Sequence, residues 1–181
     1  ENKDENRNKY IRYNEFQVSH NEADKDVFIW SKNLIFFPRK IDNKLYFLHR
    51  IKPNIQIVVG IENLEKLTAE FWTDYFNHFK ENIVLSPQHE HEISYIGSGC
   101  PPIETIEGWL IIYHGVHDSV EGYVYSACAA LLDLENPKIE IARLPYPLFK
   151  PEEKWTLSQW HRAHILFELY PDIKKAYELS Y

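Results

Sequence analysis

The stretch "SYIGSGCPPIETIEGWLIIYHGV", residues 94–116, places Gly97, Gly99, Cys100 and a Pro101-Pro102 pair in front of an apolar run that ends on Tyr113-His114-Gly115. Glycine and proline fix a turn, whereas tryptophan, leucine and paired isoleucines suit a pleated, buried strand. Downstream, "GYVYSACAALLDL" follows a Glu121-Gly122 turn and "KIEIARL" follows "NPK" at 136–138. Upstream, "DVFIW", "NLIFFP", "KLYFLHRI" and "IQIVVGI" repeat the pattern, with a hairpin expected around Asp42-Asn43-Lys44. Short strands at this regular spacing indicate an all-β meander: a barrel, a sandwich or propeller blades.

Two stretches depart from the β pattern. Leu64, Leu67, Phe71, Tyr75 and Phe79 recur near the helical period, so a connecting helix is expected over about 62–80. "TLSQWHRAHILFELYPDIKKAYELSY" places Thr156 and Gln159 in capping-box spacing and meets Pro171 where a second helix would begin. The chain therefore reads as a charged, Asn-rich flexible lead-in at 1–14, an all-β unit over 15–155 and a short helical C-terminal tail at 156–181.

A chain of 181 residues with 44% hydrophobic content can bury one ordinary core. Aromatic residues make up 15%, and their faces are the surfaces on which sugar rings stack. The formal charge of -7 argues against a nucleic-acid partner, since phosphate-backbone binding needs a basic stripe. No apolar run reaches the roughly 18 residues that span a bilayer, so no membrane segment is expected. The polar start is unlike a signal peptide, and a soluble protein, cytoplasmic or periplasmic in a bacterium, is expected. With Met 0 and a first residue Glu1, the numbering reads as that of a processed, trimmed or incomplete product. Cys100 lies in the Gly/Pro loop and Cys128 in an apolar run, which points to free thiols.

Four segments, "SKNLIFFPRKIDNKLYFLHR" (31–50), "YIGSGCPPIETIEGWLIIYHGV" (95–116), "GYVYSACAALLDLENPKIEIARL" (122–144) and "PYPLFKPEEKW" (145–155), together resemble glycoside hydrolase family 130 in order and spacing. That family contains β-mannoside phosphorylases and β-mannosidases built on a five-bladed β-propeller. The resemblance covers about residues 25–155 and implies a partial propeller of two to three blades. It also implies that Lys32 and Arg50 occupy two basic places that grip inorganic phosphate, with His114 and Tyr125 lining the same pocket. A cation fork and polar ring atoms at strand ends suit an anion, or an attacking water, beside a sugar. In this reading Gly97 and Gly99 let the backbone approach the site, and the proline pair stiffens the loop so that Tyr113 and His114 point into one cleft.

Three departures from the family pattern shape the functional expectation. Tyr95 stands where a Lys or Arg usually completes the phosphate clamp, and Glu104 stands at an often basic position before the Thr of "PPIET". Fewer cations and an added carboxylate favour hydrolysis over phosphorolysis, with Glu104, Glu92 or Glu90 as the general base of an inverting reaction. The family's catalytic acid sits in an Asp-Pro-Arg context, and no such triplet occurs in this chain. Glycosidic cleavage needs both carboxyl groups, so the polypeptide alone is expected to be inactive.

The tail "RAHILFELYPDIKKAYELS" resembles a segment of an insertion-sequence transposase over about twenty residues. "HEHE" at 89–92 lacks the i, i+4 histidine pair of a helical zinc site, and neither a metal nor a cofactor is expected. The expected partners are a β-mannoside oligosaccharide, with inorganic phosphate as the alternative nucleophile, and a second chain through open blade edges. The competing functional class is a non-catalytic carbohydrate-binding or self-associating remnant.

Overall fold

The computed structural model describes residues 31–120 and 122–150. Strands β1 (Lys32–Phe36), β2 (Leu45–Ile51) and β3 (Asn54–Ile61) lead through helix α1 (Ala69–Asn77) to β4 (Ile83–Leu85). They form one antiparallel sheet in sequence order. Strands β5 (Tyr95–Ser98), β7 (Trp109–Ser119), β8 (Gly122–Leu132) and β9 (Glu140–Arg143) form a second antiparallel sheet, and β6 (Ile103–Glu104) pairs with β7. The all-β expectation holds for the described residues, apart from α1 and short 3₁₀ turns. The lead-in, "DVFIW" and the C-terminal tail with its transposase likeness lie outside them. Among the described residues no helix is long and apolar enough to cross a membrane.

Local chemistry sets each hairpin. Asp42 (φ 50°) and Asn43 (φ 61°) take the two left-handed positions between the Ile41–Lys44 bridge, the backbone that Asp and Asn tolerate best. At the β2–β3 turn the buried Gln56 amide clamps both backbone groups of Ile51: Oε1 accepts from N (2.6 Å) and Nε2 donates to O (2.9 Å). Strands β7 and β8 pair without interruption from Trp109–Leu132 to Ser119–Gly122, the longest ladder described.

Burial explains why β2 and β3 read as near-continuous apolar runs. Leu48, Ile55 and Ile57 pack in one core with Ile96, Ile111, Tyr113, Ala130 and Leu132 of the second sheet. Phe47, Ile51, Val58 and Ile61 pack in another with Tyr75 of α1 and Phe79. Both faces of the first sheet are thus covered, which removes the polar alternation of a half-exposed strand. Trp109 is fully buried, edge-on to Phe37 at 5.1 Å, with its indole N–H donating to Leu134 O at 3.1 Å.

The helix is shorter than its periodicity suggested. Leu64–Lys66 forms a separate 3₁₀ turn, Leu67 leaves helical geometry (φ -79°, ψ 57°), and Thr68 then caps α1 by accepting from Phe71 N. A side-chain oxygen at Thr68 satisfies an orphan donor of a new helix, so the segment restarts there instead of continuing. Past Asn77 a second 3₁₀ turn, Phe79–Asn82, leads into β4.

Gly108 (φ +154°) turns the chain into β7, and a Cβ there would lie 2.4 Å from the Leu132 carbonyl oxygen. Gly122 also has positive φ (+116°), yet a Cβ there meets nothing within 4 Å. Gly108→Ala is therefore expected to cost about 3 kcal/mol and Gly122→Ala about 1 kcal/mol, read from urea unfolding midpoints. Equal losses would mean that the β7–β8 ladder relaxes around the added methyl.

Candidate functional site

The two sheets meet where β5 runs beside the β2–β3 turn, tied by Ile96 N donating to Pro53 O at 2.9 Å. Antiparallel register then decides which side chains converge. Lys32 sits opposite Arg50 across β1–β2, and Gly97 opposite His114 across β5–β7. Tyr95 and Tyr125 both flank Val116, two residues beyond His114 and therefore on its face. The guanidinium of Arg50, only 8% exposed, reaches across to His114 Nε2 at 3.3 Å. Its carbon lies 5.0 Å from the centre of the Tyr95 ring. The Tyr95 and Tyr125 hydroxyls are 2.6 Å apart, and the Tyr125 ring lies 5.9 Å from that of His114. Lys32, Arg50, Tyr95, His114 and Tyr125 thus come together at one place.

Gly97 allows that convergence. A Cβ there would stand 2.6 Å from His114 Cε1, 2.7 Å from Nε2 and 3.0 Å from Arg50 Cδ. Gly99 instead hydrogen-bonds the Ile112 backbone, away from the cluster. One further cation belongs to the group: the Lys52 ammonium lies 3.7 Å from the Tyr95 ring centre and 6.0 Å from that of Tyr123. Lys52 follows Arg50 by two residues, and Tyr123 precedes Tyr125 by two. The sequence reading missed both, and the two-residue spacing from Arg50 and Tyr125 is the signal that could have found them.

The electrostatics favour an anion. Burial lowers the pKa of Arg50, and burial with Arg50 and Lys32 nearby lowers that of Lys52. Neither Arg50 nor Lys52 has an ion-pair partner among the described residues. Burial, then Arg50 and Lys52, push His114 down to about 3, so it is a neutral imidazole. Guanidinium only donates, so His114 Nε2 accepts and its ring proton sits on Nδ1. Burial and the Tyr125 contact raise the Tyr95 phenol, which stays protonated. The cluster offers cationic and neutral donors to a phosphate or to sugar hydroxyls.

The candidate bases lie elsewhere. Glu104 is paired with exposed Arg39 through two contacts of 2.5 and 2.7 Å, and this partner lowers its pKa. It sits opposite Trp109, five residues along β7 from His114, or about 17 Å. Glu92 is fully buried: Tyr113 donates to Oε1, and Gln88 N (2.8 Å), His89 N (3.3 Å) and Arg143 (3.2 Å) donate to Oε2. Glu90, exposed, opens the 3₁₀ turn Glu90–Glu92. Tyr113 and His114 do not share a cleft, because successive strand residues point to opposite faces and Tyr113 is committed to Glu92. His91, Glu92 and Cys128 have ligand atoms within 4.8 Å of one another, with three donors already on Glu92 Oε2 and one on Oε1. Cys100 and Cys128 are free thiols.

A neutral His114 links stability to acidity. Its folded pKa, about 3, lies below the ordinary 6.5, so its contribution is complete above pH 6.5 and is lost as pH falls towards 3. The stability advantage of the wild type over His114→Gln should therefore shrink by up to about 1.4 kcal/mol per pH unit in that window, measured by urea unfolding. A difference constant with pH would show that folding leaves the His114 pKa unshifted.

Comparison with known proteins bears on the same residues. The family model described as beta-1,4-mannooligosaccharide phosphorylase, of glycoside hydrolase family 130, matches residues 4–169. The 1,2-beta-oligomannan phosphorylase of Thermoanaerobacter sp. (strain X514) is 36% identical over 126 residues, covering 69% of this chain and 38% of that protein. The Beta-1,4-mannooligosaccharide phosphorylase of Ruminococcus albus is 34% identical over 109 residues, covering 60% and 31%. Among solved structures, the Beta-1,2-Mannobiose phosphorylase of Listeria innocua in complex with beta-1,2-mannobiose superposes with a TM-score of 0.54 at 30% identity, over 71% of this chain and 34% of that one. The chain spans about a third of the length of these relatives. A match over nearly the whole sequence, on the residues that build the cationic cluster, means that the chain belongs to glycoside hydrolase family 130.

Proposed function

We propose that the cluster of Lys32, Arg50, His114, Tyr95 and Tyr125 is the phosphate side of a β-mannoside phosphorylase site, carried on two blades of an incomplete β-propeller. The carrying observation is the convergence of the exposed Lys32 and half-buried Lys52 on the buried Arg50, in a chain whose formal charge is -7. The phosphorylase relatives support this reading. Sequential antiparallel meanders, packed face to face, are the form that propeller blades take.

The position of the carboxylates supports phosphate over water as nucleophile. Glu104 is far along β7 and paired with Arg39, and Glu92 is enclosed by four donors, so neither activates a water beside Arg50. In phosphorolysis a phosphate oxygen attacks the anomeric carbon as the glycosidic C–O bond breaks, and an acid protonates the leaving oxygen. The product is a mannose 1-phosphate of inverted configuration. Arg50 and Lys32 would hold the phosphate charge, while the neutral His114 and the phenols orient its oxygens or the sugar hydroxyls. The proton donor lies outside these 181 residues in this reading, so the chain binds phosphate without turning over.

Phosphorus NMR of the chain titrated into phosphate, with and without β-mannobiose, tests the proposal. The phosphate signal should broaden or shift, and no mannose 1-phosphate should form. An unaffected signal at millimolar phosphate would sink the reading, and mannose release without phosphate would restore hydrolysis. Gly97→Ala, which drives a methyl into His114 and Arg50, should weaken phosphate binding about tenfold. Self-association is a separate reading, favoured by exposed Leu34 and Phe36 on β1 and Ile141 on β9. A monomer in light scattering would remove it.

A further inference from the structure

We infer that Lys52 is an anion-binding and specificity-determining residue of this site, its ammonium seated on the Tyr95 ring beside the Arg50 guanidinium. This rests on the phosphate reading above and goes beyond the residues that reading assigned. Three observations carry it. The first is position: Lys52 Nζ lies 3.7 Å from the Tyr95 ring centre, closer than the 5.0 Å of the Arg50 guanidinium carbon, so one aromatic ring serves two cations. The two charges repel, since Arg50 lowers the pKa of Lys52, and an aromatic quadrupole offsets only part of the cost.

The second observation is rigidity. Lys52 has little freedom at its backbone, because the Gln56 amide clamps Ile51 before it and Pro53 O accepts from Ile96 N after it. A half-buried lysine on a fixed turn is pre-organised for a ligand in a way that a solvated one is not.

The third is the sign of the local field. Among the described residues Asp118 is the carboxylate that raises the Lys52 pKa, and its influence ranks below those of Arg50 and Lys32. A bound dianion would offset the repulsion among these cations. The Tyr95–Tyr125 hydroxyl pair adds neutral donors beside it. The Lys52 charge thus favours phosphate over water as the group that enters this pocket.

Phosphate affinity measured by calorimetry on the full chain tests this. Lys52→Met should weaken binding about tenfold, the scale of one charge-assisted contact. Lys52→Arg, which keeps the charge, should lose much less. Tyr95→Lys in the Lys52→Met background should recover affinity, because residue 95 would then supply a cation at the ring position, and circular dichroism checks that each variant is folded. If the wild type binds phosphate and Lys52→Met binds it equally well, Lys52 has no such role while the site reading survives. If the wild type binds none, both fall. Should Lys52→Met fail to fold, Lys52→Gln takes its place: an affinity equal to that of the wild type would overturn the inference, and a tenfold loss would support it.

Discussion

The arrangement of this protein turns on a buried guanidinium that meets no carboxylate among the described residues. Arg50 is set between two sheets at a point where water is largely excluded, and placing a charge there costs several kcal/mol unless neighbours compensate. The compensation is partial: the face of Tyr95, an acceptor nitrogen of His114, and nothing anionic among the described residues. Burial keeps His114 neutral, with Arg50 adding to the shift, and burial keeps the Tyr95 phenol protonated against the opposing pull of Arg50. Position 97 has no side chain because one would collide with both His114 and Arg50. In the phosphate reading proposed above, a bound anion would offset the cost of the buried charge.

The opposite solution stands at the 3₁₀ turn Glu90–Glu92, just before β5. Glu92 is as deeply buried as any group described, yet both its oxygens are met, Oε1 by Tyr113 and Oε2 by two backbone amides and Arg143, and Arg143 is held in turn by Glu140. A buried ion pair of this kind orders the segment before β5 against β7. His114 and Tyr113 are adjacent in sequence and belong to these two different worlds. The pleat of β7 sends one to the open cluster and the other to the closed one.

Family membership and the one-third span together place the chain in context. Two meanders that share a core can present one wall of a site, and in the proposed reading the cationic cluster is that wall. A wall binds and orients, whereas cleavage also requires a proton for the leaving oxygen.

Much of this was legible in the sequence because it follows from local rules. Turn residues at Asp42-Asn43 and Glu107-Gly108, and β-branched runs between them, determined the strands, and the four motifs pointed to Lys32, Arg50, His114 and Tyr125. Helix α1 was legible in existence but not in length, since the Thr68 cap outweighed a longer periodic pattern. Only the tertiary structure decided which charges meet. Lys52 joins Arg50 because β5 docks beside the β2–β3 turn, and Glu104 is drawn to Arg39 while Glu92 is sealed behind Tyr113. The physical reason is that turn and strand preferences act over a few residues. The fate of a charge depends on the dielectric and the partners that distant segments bring to it.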